Sequence, residues 1–279
     1  MSHPLKLGVN TSIFDGHDMD IAFNLIKQTG YEYVELAYNQ GYVGDLDDSL
    51  FSPDNAERMR KLLDKHQLKT VALGCTFNLA RAEAVSWLQT RIQFAQRIGV
   101  NLLNACTANR RDYTALVKNL QQIAPLLQQA GCQLLIENGG DYNYDAFALT
   151  HEGEQLLRDV DASLIAFNAD AGNMVSLRPE ADAIGEVLQM LPNMRHCHIK
   201  DVVKQDNEYR FPAIGQGMLD YSRLIPVLAA QQIPCTLEIP LRMHRLADST
   251  PQRSSMPVPL DRIVNVLSES KQFIDSIRL

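Results

Sequence analysis

Met194-Arg195-His196-Cys197-His198-Ile199-Lys200-Asp201 reads as a short strand that runs into a charged turn. Side chains alternate along a strand, so His196 and His198 share one face and Cys197 and Ile199 the other. Apolar residues at helical spacing lie on either side, over Pro179 to Leu191 and Asp220 to Gln231. Beyond them Ser163 to Ala169 and Pro234 to Ile239 are short apolar runs bounded by turn residues, which is how buried strands read.

The same alternation extends to both ends of the chain. Strands are expected at Leu5 to Asn10, Tyr31 to Leu36, Lys69 to Leu73, Val100 to Ala105 and Cys132 to Glu137. Helices are expected from Asp20 to Thr29, from Pro53 to about His66, up to Gly99, from Tyr113 to Ala130, from Thr150 to Val160 and from Pro257 to Ile277. Ser52-Pro53 has the order of a cap followed by a first-turn proline, and Gly30, Gly99 and Gly131 stand where helices end. Pro125 lies inside a helical pattern and is expected to bend or break it. Eight strands alternating with eight helices predict an α/β fold, one (β/α)8 TIM barrel occupying residues 1–279 as a single domain. A two-domain doubly wound arrangement is the alternative, but no linker or Gly/Ser-rich seam divides the chain.

Bulk properties narrow the function. With 26 basic and 33 acidic residues the net charge is −7, which argues against a nucleic-acid surface, since phosphate contacts need clustered Lys and Arg. No apolar run approaches the roughly 20 residues needed to span a membrane. The start, Met1 to Lys6, lacks the apolar segment of a secretory signal. Cys75, Cys106, Cys132, Cys197 and Cys235 are odd in number and without Cys-x-x-Cys spacing, so buried free thiols and a cytoplasmic location are expected.

Four strand ends carry chemistry. Glu137, Asp170, His198 and Glu238 are separated by 33, 28 and 40 residues, each about one strand–helix unit. In a parallel barrel those ends converge on one face. A histidine pair alone is equally well read as satisfied core histidines, and any one acid as a cap or an ion pair. Three carboxylates on one rim, however, repel one another unless a cation sits between them. Three oxygen donors and an imidazole suit Mn²⁺ or Mg²⁺, with Co²⁺ and Zn²⁺ also compatible.

These residues make the chain resemble the xylose-isomerase-like TIM-barrel superfamily of sugar-phosphate isomerases and epimerases. The resemblance covers nearly the whole chain through Val34-Glu35-Leu36, Ile136-Glu137-Asn138, Asp170-Ala171-Gly172-Asn173, His198-Ile199-Lys200-Asp201, Gly215 to Tyr221 and Leu237-Glu238. It implies that His198, the second histidine of the pair, is the ligand. His196 lies one layer deeper, where a core role and contact with the site are both open. It further implies that Glu137 and Glu238 transfer protons as well as bind metal. Related ketose epimerases carry a histidine where Asn173 stands and an arginine where Lys204 stands; both departures count against a direct match to free-ketose 3-epimerases. Asn173 and Lys204 are retained as substrate-contacting candidates.

The expected activity is isomerisation or epimerisation of a ketose, sugar phosphate or small keto acid through a metal-stabilised enediolate. Dehydration of a cyclic keto acid or keto-inositol on the same metal site is the alternative. The stretch Leu241 to Pro257 holds Arg242, His244, Arg245 and Arg253, which suit a substrate phosphate or carboxylate, or else a solvated loop. Gly215-Gln216-Gly217 suits either an anion or a tight turn. A nucleic-acid-cleaving relative of this barrel needs further histidine ligands, and Cys75 to Asn78, Asn104 to Cys106 and Asn173 supply none. A non-catalytic binding barrel is the remaining class. The expected partner is a small carbohydrate or keto acid, with no nucleic acid and no membrane, and a homo-oligomer is left open.

Overall fold

The computed structural model describes residues 5–39, 42 and 47–278. The first four residues of the chain, and with them most of the stretch read as lacking a signal segment, lie outside the described residues. Eight parallel strands close into a barrel: β1 (Leu7–Asn10), β2 (Tyr33–Ala37), β3 (Lys69–Gly74), β4 (Leu102–Cys106), β5 (Gln133–Glu137), β6 (Ile165–Asp170), β7 (Met194–Ile199) and, after two short strands, β10 (Cys235–Leu237). β10 pairs with both β7 and β1, which shuts the ring. Around it run α1 (Met19–Gln28), α2 (Pro53–His66), α3 (Ala84–Ile98), α4 (Tyr113–Ala130), α5 (Thr150–Val160), α6 (Ala171–Leu177), α7 (Ala183–Met190), α8 (Ile225–Ala230) and α9 (Leu260–Ser276). This is the expected (β/α)8 TIM barrel.

Local chemistry accounts for the boundaries. Ser52 caps α2 by accepting from the Asn55 N–H at 3.2 Å, with Pro53 in the first turn where its missing N–H costs nothing. Gly99 and Gly131 end α3 and α4 at φ 81° and 66°, a left-handed conformation that glycine adopts without a Cβ penalty. Strands such as β6 are buried along their whole length because helices cover one face and the barrel interior the other. The core is continuous from Val9 on β1 to Ile274 on α9.

Three expectations need correction. Of the two outcomes expected at Pro125 the break is absent: α4 runs unbroken through it, so tertiary packing of its apolar face (Leu116, Leu120, Ile123, Leu127) outweighs the lost hydrogen bond. The segment from Asp220 to Gln231 is a single turn of 3₁₀ helix at Tyr221–Arg223 followed by α8. The stretch after β10 is more than a loop. β11 (Met243–Leu246) and β12 (Pro251–Arg253) join β8 (Val203–Gln205) and β9 (Glu208–Arg210) in an antiparallel sheet ordered β12-β11-β9-β8. Asp206 and Asn207, at φ 50° and 63°, make the two-residue turn between β8 and β9, where two left-handed residues match the twist of the flanking strands.

Candidate metal centre

Register brings the strand ends to one level. His198 pairs with Asp170 on β6 and with Thr236 on β10, while Glu137 pairs with Cys106 on β4. Glu238 lies two residues beyond Thr236, and its N–H donates to the Ile199 carbonyl at 3.1 Å, extending the barrel edge. The structure thus gathers Glu137, Asp170, His198 and Glu238: one ligand atom from each falls within 4.8 Å of the others, and all four are buried.

His198 Nδ1 stands at the centre, 3.1 Å from Glu137 Oε1, 3.4 Å from Glu238 Oε2 and 3.8 Å from Asp170 Oδ2. Asp170 divides its labour. Oδ1 caps α6 by accepting from the Asn173 N–H at 3.0 Å, and Oδ2 is buried in the cluster, where the Lys200 ammonium lies 2.8 Å away. Three buried carboxylates converging with one imidazole are the donor set that a hard divalent cation takes, and the Lys200 ammonium supplies positive charge to Asp170 Oδ2. The residues fit the metal.

Electrostatics in the cluster follow from the neighbours. Burial, helped by the charge of Glu238, pushes Glu137 up to about 7. Burial acts the same way on Glu238, but the Lys200 ammonium and His198 overcome it and hold that carboxyl well below its usual range. His198 is raised well above its ordinary value because Glu35, Glu238 and Glu137 outweigh the cost of burying its charge.

Two residues essential to this geometry were not singled out as site residues from the sequence. Lys200 follows His196 and His198 at the strand period, so it too faces inward. Its ammonium lies 2.8 Å from Asp170 Oδ2 and 3.0 Å from Asn173 Oδ1 and hydrogen-bonds Glu238 Oε2. The continued alternation was the signal. Gly172 makes room for it, since a Cβ there would meet the Lys200 carbonyl at 2.5 Å. Glu35, quoted only as a family marker, sits behind His198. Its Oε2 receives Nε2 at 2.9 Å and the Thr236 hydroxyl at 2.6 Å, and its Oε1 receives the Asn104 amide at 2.8 Å. That contact keeps a proton on Nε2 and presents Nδ1 to the carboxylates, the usual role of a carboxylate behind a metal-binding histidine. Burial alone would raise the Glu35 carboxyl, but His198, His196 and the Thr236 hydroxyl together bring it down to about 2.

His196 lies deeper and is fully buried, with Nδ1 2.9 Å from Asn168 Oδ1. Burial lowers it to about 3, which leaves it neutral and in the core. Cys106 contributes a thiol that donates to Glu137 Oε2 at 3.7 Å.

The substrate-contact candidates separate. Asn173 donates to Glu137 Oε1 at 2.8 Å and lines the cavity above the cluster. Arg242, His244 and Arg245 line the same cavity, which encloses about 720 Å³ including its open mouth. Lys204 does not line it: β8 belongs to the outer sheet, and the lysine is exposed over the Tyr209 ring, 5.3 Å from its centroid. Arg253 is also outside, bound to Asp15 by two contacts of 2.8 Å. The Gly215-Gln216-Gly217 turn has its anion within the chain. Asp201 accepts from the N–H groups of Gly215 at 3.0 Å and Gly217 at 2.8 Å, and the Tyr221 hydroxyl donates to the Lys200 carbonyl at 2.8 Å. This motif braces the loop that carries Lys200.

Comparison with curated protein sequences gives no match. Among solved structures, D-psicose 3-epimerase from Clostridium cellulolyticum H10, crystallised with D-tagatose, superimposes with a TM-score of 0.75 at 13% identity, over 98% of this chain and 99% of that one. The probable 3-DHS dehydratase AsbF of Bacillus anthracis gives 0.73 at 14% identity over 98% and 100%. A xylose isomerase domain containing protein from Salmonella typhimurium LT2 gives 0.70 at 17% over 99% and 100%. At these identities the likeness is one of fold. Among the described residues no helix is long and apolar enough to cross a membrane. A family model described as xylose isomerase-like TIM barrel matches residues 23–255, and the chain belongs to that family.

Proposed function

We propose that the protein is a divalent-metal-dependent isomerase or epimerase acting on a ketose, sugar phosphate or small keto acid by proton transfer beside a carbonyl. The observation that supports this reading above all is the buried convergence of Glu137, Asp170, His198 and Glu238 at one barrel mouth. A cation held there would polarise the substrate carbonyl and offset the negative charge that develops as the neighbouring C–H is lost, a role that suits Mn²⁺.

The chain's own groups supply the rest. Glu137 and Glu238 line the cavity from β5 and from beyond β10, and in this reading they would flank the reacting carbon. One takes the proton and the other returns it, to the opposite face for epimerisation or to the adjacent carbon for isomerisation. Asn173 fixes Glu137 by its 2.8 Å hydrogen bond and the Cys106 thiol steadies the second oxygen. Asp170 and His198 serve as ligands alone. Lys200 keeps Glu238 ionised and therefore able to act as base.

The test is to incubate the Mn²⁺-loaded protein with ketoses, ketose phosphates and keto acids in deuterated water. Deuterium entering the substrate beside its carbonyl supports the proposal. Loss of a β-hydroxyl instead would assign dehydration on the same site. No incorporation across the three classes, with metal bound, would reject proton transfer and leave a binding barrel.

A further inference from the structure

The cations of the stretch after β10 differ in how their charge is met. Arg242 is 3.3 Å from Asp15 and donates to the carbonyls of Ser254 and Ser255 at 2.9 and 2.7 Å. Arg253 is paired with the same aspartate. His244 lies 3.9 Å from Glu208. Arg245 is buried, and among the described residues no carboxylate lies within ion-pair distance of it. Its two hydrogen bonds go to neutral oxygens, Ser176 Oγ at 3.1 Å and Asn173 Oδ1 at 2.8 Å. The Asn173 oxygen also accepts from Lys200, so one amide oxygen serves two cations. Burying an unpaired guanidinium is costly, and its planar fork of donors matches a carboxylate or a phosphate.

Arg245 is also held in place. Its backbone pairs with Tyr209 on β9 and Pro251 on β12, and the nearby Ser249 hydroxyl donates to the Ser176 carbonyl at 2.6 Å, pinning the outer sheet to α6. Gly140 leaves the space that the guanidinium fills, because a Cβ there would collide with it. From Arg245 the path to the carboxylates is short: Asn173 bonds Arg245 through its oxygen and Glu137 through its nitrogen.

We propose that Arg245 is the binding site for a terminal oxyanion of the substrate, a carboxylate or a phosphate, held one amide away from Glu137. The substrate class is then a small anionic hydroxy- or keto-compound whose reacting carbon lies a few bonds from its charged end. A neutral ketose leaves this guanidinium with only its two neutral oxygens and the Phe211 ring, whose centroid lies 5.4 Å away, and no anion. The proposal rests on the proton-transfer reading for its catalytic meaning, but anion binding itself needs neither metal nor turnover.

The experiment is calorimetric titration of the metal-free protein and of Arg245→Gln with glycerol, glycerate and glycerol 3-phosphate, three probes that differ only at one end. Binding of one or both anions to the unaltered protein, weakened at least about tenfold in Arg245→Gln, with glycerol binding neither, supports the site, and the preferred anion names the group. Equal anion affinity in the two proteins, or no anion binding to the unaltered protein, overturns it. Should Arg245→Gln fail to fold, a crystal of the unaltered protein with glycerate decides: carboxylate oxygens on the Arg245 nitrogens support the assignment and a carboxylate seated elsewhere contradicts it. Anion binding that persists while deuterium exchange is absent would reject the catalytic reading alone.

Discussion

Glu137 and Glu238 differ from Asp170 and His198 in what their loss should do. Glu137→Gln and Glu238→Gln keep an oxygen donor but not a base, so at saturating metal each should lose about 10²–10⁴-fold in turnover, with proton exchange falling in step. A metal-loaded Gln variant that exchanges at the unaltered rate would make that glutamate a spectator. Glu35 acts one bond further out. Glu35→Gln removes the charge that holds a proton on His198 Nε2, 2.9 Å away, and should weaken Mn²⁺ binding by about 10–100-fold while the fold persists. Calorimetry with Mn²⁺ alone reads this, and an unchanged affinity would reduce Glu35 to packing. Sequence made the four strand-end residues legible because a parallel barrel places equivalent positions at one height. It left Glu35 as a marker because an acid within an apolar strand has no partner visible until the barrel closes, as the separation of 163 between Glu35 and His198 records, and it left Lys200 as one because that residue follows the last residue of β7, its partners Asn173 and Glu238 lying 27 and 38 residues away on neighbouring units.

At the scale of elements, the barrel strands and most helices were readable from period and caps, since each is decided within a dozen residues. The outer sheet was not. β8 and β9 are three residues each, and β11 is Met243-His244-Arg245-Leu246, which shows no apolar alternation because its burial comes from a cavity rather than a core. The Asp206-Asn207 turn was the available signal. Lys204 stands outside the cavity lining for the same reason: the inward alternation of β7 ends at the Asp201 brace, and β8 restarts with its own facing. Pro125 offers a test of how packing overrides propensity. It is exposed on α4, so Pro125→Ala sacrifices little contact and should restore a backbone hydrogen bond, raising stability by about 1–3 kcal/mol in chemical denaturation. A neutral or destabilising result would mean that the proline fixes a bend the packing needs.

At the scale of the molecule, the closed ring leaves no free barrel edge and concentrates buried polar groups at one mouth, above an apolar core. All five cysteines are buried and free. Burial pushes the thiols of Cys75 and Cys235 up to about 12, so the thiolate needed for reaction is scarce in the folded state. A thiol reagent should therefore label the native protein slowly and all five cysteines promptly after denaturation; fast native labelling would show that the barrel opens more readily than this packing implies. The central claim is that one divalent cation binds where Glu137, Asp170, His198 and Glu238 meet. Anomalous diffraction from a crystal soaked in Mn²⁺ tests it most directly. The account predicts a single strong peak about 2.0–2.6 Å from a donor of each of the four residues, with Nδ1 as the His198 donor and the Lys200 ammonium displaced from Asp170. A peak elsewhere, or none at the barrel mouth with Lys200 still bridging Asp170 and Glu238, would contradict it.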